Sequence, residues 1–237
     1  MKILFFYSVI AFLTTLSGSL LPMLKEEWTK KHLWRLLAFG SGVLLGIAFL
    51  KLLPEAFSLA GNTAGLSILT TFVLLFAAEN VTMVHTCEEF LEPPKSPLMP
   101  ISALAALSLH AGIDGMAIGV GLRQNVLLGS VISLGVILHK FSDGLTLTSL
   151  LRAAGYSRFM ECILAVALAF STPLGAFASF LWAGPQSSTV IGIVLGVAAG
   201  SFIYIGAADL LPRLHDAHDR YCLFFFVLGI VVIGFFA

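Results

Sequence analysis

Charge is what this 237-residue chain has least of. Lys, Arg, Asp and Glu together make up 11% of it, about half the share of a soluble domain. The 13 basic and 13 acidic residues cancel to a net charge of zero, so no basic field of the kind that binds nucleic acid is present. Cysteine is scarce too: Cys87, Cys162 and Cys222 are too few and too scattered for a disulfide framework or a cysteine-based zinc motif. What replaces these residues is apolar. The chain is 58% hydrophobic, with 20 Phe and 22 Gly and a mean hydropathy of +0.99. Phe suits a lipid-facing surface and Gly lets helices approach closely. The fold class is therefore all-α, a polytopic membrane protein whose first partner is the lipid bilayer.

Apolar runs long enough to cross a bilayer predict eight transmembrane helices, at about 3–22, 35–57, 63–85, 100–122, 126–151, 159–183, 188–211 and 221–237. Residues 1–237 read as one transmembrane domain. The first apolar run continues to Leu21, long for a signal peptide, so it is expected to stay as a helix. With the N-terminus outside, Lys25, Lys30, Lys31, Arg35, Lys95, Arg152, Arg158, Arg213 and Arg220 fall in inner loops, against Lys2 and Arg123 outside. That positive-inside bias puts both termini on the exterior or lumenal face of a plasma or organelle membrane. Gly46–Pro54 resembles Tyr204–Pro212, both ending Leu-Leu-Pro. In this topology the two stretches run in opposite directions, the pattern of an inverted repeat, which in transporters brackets a midplane substrate site.

Two stretches carry the chemistry, His110-Ala111-Gly112-Ile113-Asp114 and His139-Lys140-Phe141-Ser142-Asp143. Each sets a histidine and an aspartate at i and i+4, on one helix face. Ionisable groups at membrane depth are expensive and mark function. The short link at Arg123–Asn125 makes these two spans antiparallel neighbours, with both pairs near mid-membrane. Two imidazoles and two carboxylates form a metal set for Zn²⁺ or a related first-row divalent ion. Gly112, Gly115 and Gly144 beside them suggest tight backbone approach. His and Asp must shed protons to bind metal, so uptake is expected to fall on acidification.

At these residues the sequence resembles the ZIP (ZRT/IRT-like) family of divalent-metal transporters, over nearly the whole chain. HAGIDGMAIGVGL and HKFSDGLTLTSLL are similar to the family's fourth- and fifth-helix signatures. GVLLGIAFLKLLPEAF, TPLGA and AAGSFIYIGAADLLP are similar to parts of its second, sixth and seventh helices. The resemblance implies eight helices, both ends outside, no enzymatic activity, no cofactor, and transport of Zn²⁺ (with Fe²⁺, Mn²⁺ and Cd²⁺ as alternatives) towards the cytoplasm. It makes His110, Asp114, His139 and Asp143 the transport-site ligands. Many relatives hold a second, bridged metal through an Asn, an acidic residue and a Glu; here those positions are Ala111, Lys140 and Thr172. A single metal is expected, with the Lys140 ammonium tuning the charge where the second metal would sit. A homodimer stays open.

Lesser features follow. Lys51 and Glu55, at i and i+4, read as an ion pair or an entrance gate, and Asp209 as an exit-path group. His215 and His218 could form a cytosolic metal loop, and His85 to Glu89 a loop of similar kind. The rival class is an intramembrane zinc-dependent hydrolase, which also needs His/Asp ligands, an open coordination position and a base. Against it stand the absence of HExxH and of any base beyond the four ligands. A receptor that binds metal without turnover is the third reading.

Overall fold

The computed structural model describes residues 1–82, 99–184, 186–217 and 219–236. Among these there is helix throughout and no strand. We number the helices α1 (Lys2–Leu24), α2 (Glu26–Ala60), α3 (Asn62–Thr82), α4 (Met99–Gln124), α5 (Val126–Ala153), α6 (Arg158–Trp182), α7 (Ser188–His215) and α8 (Tyr221–Phe236). Six of them, all but α3 and α8, are long and apolar enough to cross a membrane among the described residues. The protein is thus a multi-pass integral membrane protein.

Local chemistry sets the boundaries. Asn125 caps α5 by accepting from the Leu127 amide at 2.8 Å, and Ser157 and Ser187 cap α6 and α7 in the same way. Each satisfies one of the amides a helix N-terminus leaves open. Gly61 (φ 52°) separates α2 from α3 and Gly155 (φ 77°) ends α5, positive-φ positions that favour glycine.

Two elements differ from the sequence expectation. The charged run after Lys25 is helical, not a loop, and α2 begins at Glu26 rather than near residue 35. Glu26 and Glu27 stand at the positive end of the helix dipole, and Lys30 pairs with them at 2.9 and 3.4 Å. Such i,i+4 and i,i+3 pairs support a helix without an apolar face. In addition, both Leu-Leu-Pro stretches follow a π-helical turn, at Ala48–Leu52 in α2 and Tyr204–Leu210 in α7. Pro54 and Pro212 lack the amide that would continue the α-helical ladder, and the preceding turn widens to accommodate them.

The helices pack in two groups. α1 lies on α5 and α6, and α4 on α5 and α6; α2 lies on α7 and α8, and α3 on α7. Glycine permits the closest crossings. A Cβ at Gly115 would fall against the Thr172 carbonyl oxygen of α6, and one at Gly144 against the Thr15 carbonyl oxygen of α1. Gly112 has open space around it; the bare position at that crossing is Gly175, whose Cβ would meet the Gly112 carbonyl. Between the groups lies a closed apolar core that includes Ile47, Ile118, Ile132, Val136, Leu195 and Phe202.

Candidate metal site

Because α4 and α5 are antiparallel and joined at Asn125, their polar faces meet at one level. His110, Asp114, His139 and Asp143 offer ligand atoms all within 4.8 Å of one another, and all four residues are buried. Asp114 is the hub, with no exposure at all. Its Oδ2 lies 3.2 Å from His139 Nε2 and 3.4 Å from His110 Nε2. Lys140, equally inaccessible, donates to Asp143 Oδ2 at 2.5 Å and forms an ion pair with Asp114.

The hydrogen bonds around the imidazoles reveal what the centre lacks. His139 Nδ1 faces the Gly135 carbonyl oxygen at 3.0 Å. A carbonyl can only accept, so Nδ1 donates to it, while Nε2 lies 3.2 Å from the Asp114 carboxylate. A proton on Nε2 serves that contact in the empty site, and a metal ion binds there only as the proton leaves. His110 Nε2 and Asp114 Oδ1 are buried without a hydrogen-bond partner among the described residues. Unpartnered polar atoms in a dry interior are costly, and both belong to residues of the buried cluster.

A cavity of about 320 Å³ reaches the site, lined by His110, His139 and Asp143 together with Ser142, Tyr204 and Asp209. Its walls come from the first halves of α2 and α4 and the last halves of α3, α5 and α7. That is the end of the bundle that carries Lys25, Arg152 and Arg213. Towards the other end the closed apolar core takes over.

The structure therefore brings the four expected ligands and Lys140 together, and places Asp209 on the same cavity, paired with Arg213 at 2.7 Å. Lys51 and Glu55 lie elsewhere, both half-buried, and no salt bridge joins them. His215 is exposed at the end of α7; His218 and the stretch from His85 to Glu89 lie outside the described residues. Sequence reasoning missed Ser201 and Phe202 of α7, which touch the histidines. The available signal was a hydroxyl within an apolar span.

Comparison with known proteins agrees with this chemistry. The chain is 39% identical to Protein zntC of Dictyostelium discoideum over 46% of its own length, spanning 28% of that protein. It is 27% identical to Zinc transporter ZIP13 of Pongo abelii, covering 91% of this chain and 70% of that one. It is also 27% identical to Zinc transporter ZupT of Chlorobium chlorochromatii (strain CaD3), covering 98% and 94%. The family model for the ZIP Zinc transporter matches residues 85–237, which include every member of the buried centre. With well over half of its length matched, this chain belongs to the ZIP family, whose members are metal transporters and not enzymes.

Proposed function

We propose that this protein moves a divalent transition metal, Zn²⁺ first, from the exterior or an organelle lumen into the cytoplasm through one mid-membrane site made by His110, Asp114, His139 and Asp143. The observation that carries this reading is the buried cluster itself: ligand atoms of His110, Asp114, His139 and Asp143 lie within 4.8 Å of one another, and His110 Nε2 and Asp114 Oδ1 have no hydrogen-bond partner among the described residues. Two imidazoles and two carboxylates suit Zn²⁺ and remain compatible with Fe²⁺, Mn²⁺ or Cd²⁺.

The direction rests on charge and access. Positive-inside counting assigns the end with Lys25, Arg152 and Arg213 to the cytoplasm, and the cavity lies on that side of the histidines. The closed apolar core on the other side supports an inward-facing state with the outer route shut. All eight helices span in this reading, with both termini outside, and the π turns before Pro54 and Pro212 support an inverted relation between α2 and α7.

Lys140 takes the place of a second metal. Two aspartates and one ammonium leave the empty site with about one negative charge, and a bound divalent ion turns this to about one positive charge. Metal entry must pull both carboxylates away from Lys140, which weakens retention and favours release. Flux of Zn²⁺ into proteoliposomes tests the function. Loss of flux in His110→Ala and Asp143→Ala is expected, and undiminished flux in either would refute the site.

A further inference from the structure

Helix α7 supplies no ligand to the site, yet it touches both histidines. Ser201 Oγ lies 3.0 Å from His110 Nδ1. Phe202 sets its ring edge-on to His110 at 5.8 Å and to His139 at 5.4 Å, and both α7 residues are fully buried. The two imidazoles are thus held differently. His139 anchors its Nδ1 on the Gly135 carbonyl of its own helix, whereas His110 finds its Nδ1 partner on another helix.

We propose that Ser201 is a positioning residue for the metal cargo: its hydroxyl accepts from His110 Nδ1–H and so keeps Nε2 bare and aimed at the metal. The inference rests on the site reading above. An imidazole has two nitrogens that compete for one proton. Without an acceptor at Nδ1, the proton moves to Nε2, where the Asp114 carboxylate waits 3.4 Å away. That tautomer hides the ligand atom behind its own N–H, and metal must first displace it. Ser201 removes the competition by giving Nδ1–H a partner in an otherwise apolar wall, while the Phe202 ring restricts rotation of both imidazoles. A hydrogen-bond partner on the far nitrogen of a metal-binding histidine is worth about 10- to 100-fold in affinity.

The test measures Zn²⁺ affinity of the purified full chain by competition with a chromophoric chelator, and Zn²⁺ flux in proteoliposomes. Ser201→Ala is expected to raise Kd and KM about tenfold with Vmax within about twofold. Ser201→Thr, which keeps the hydroxyl, is expected to stay close to the unmodified protein. His110→Ala serves as the reference and must weaken binding. If His110→Ala binds Zn²⁺ as before, the site reading fails and this inference with it. If His110→Ala weakens binding while Ser201→Ala does not, the role of Ser201 alone is overturned. A fall in Vmax for Ser201→Ala at unchanged KM likewise overturns it, because that pattern marks helix packing and not ligand orientation.

Discussion

Lys140 donates to Asp143, Nζ to Oδ2 at 2.5 Å, and the same ammonium is paired with Asp114 across the α4–α5 interface. One buried cation therefore engages both carboxylates of the candidate site. Replacing it with an isosteric apolar chain, Lys140→Met, leaves two buried carboxylates without their counter-charge. The metal-free protein is expected to lose about 3–5 kcal/mol of stability, to bind Zn²⁺ about tenfold more tightly and to turn over more slowly. Thermal unfolding with and without Zn²⁺, together with flux, checks this; unchanged affinity and flux would remove Lys140 from the account.

The crossing of α4 and α6 makes a second prediction. Gly115 follows Asp114, and a Cβ there would press on the Thr172 carbonyl oxygen. Backbone cannot swing aside as a flexible side chain can, so Gly115→Ala must push the helices apart. A loss of about 1–3 kcal/mol and a marked drop in Zn²⁺ affinity are expected, whereas Gly112→Ala, with open space around its Cβ, should be mild. Equal behaviour of the two variants in unfolding and binding assays would contradict this packing.

Asp209 lines the same cavity as His110, His139 and Asp143 and pairs with Arg213 at 2.7 Å. It is not one of the four clustered ligands. Asp209→Asn is accordingly expected to slow flux several-fold while leaving equilibrium Zn²⁺ affinity within about twofold, since a group on the path changes barriers and not the site itself. A tenfold loss of affinity would promote Asp209 to a ligand.

The link before α8 gives a pH prediction. Arg35 donates to Asp219 at 2.6 Å, and the Tyr221 amide does so at 2.9 Å. The guanidinium first, and the amide second, hold the Asp219 carboxyl below its usual range. A depressed carboxyl pKa means that the contact contributes in full above the unfolded value near pH 4 and is lost as pH falls through the lower folded value. As a partly exposed pair it is worth at most about 1 kcal/mol. Asp219→Asn should melt slightly below the unmodified protein at pH 7, and the gap should narrow as pH falls below about 4. A gap that widens on acidification would contradict the assignment.

The sequence made the metal cluster legible because a fixed period underlies it. His110 and Asp114, like His139 and Asp143, fall on one face of any α-helix, and the short link at Asn125 decides that the faces meet. Lys140 was legible for the same reason. The failures occur where that period breaks or where a contact is distant in the chain. Lys51 and Glu55 have i,i+4 spacing, yet both are half-buried and no salt bridge joins them, because spacing alone does not bring two side chains together. Glu26 starts a helix inside a charged run because local ion pairs, not apolar periodicity, sustain it. Ser201 is 91 residues from His110, and no spacing rule connects them.

The central claim is a single metal held by two histidines and two aspartates. Zinc K-edge X-ray absorption on purified protein, loaded with excess Zn²⁺ and desalted, tests it most directly. The account predicts one tightly held zinc per chain with two imidazole nitrogens and carboxylate oxygens at about 2.0–2.2 Å, and loss of that signal in the His110→Ala, His139→Ala double variant. A zinc–zinc vector, or an unchanged spectrum in the double variant, would contradict it.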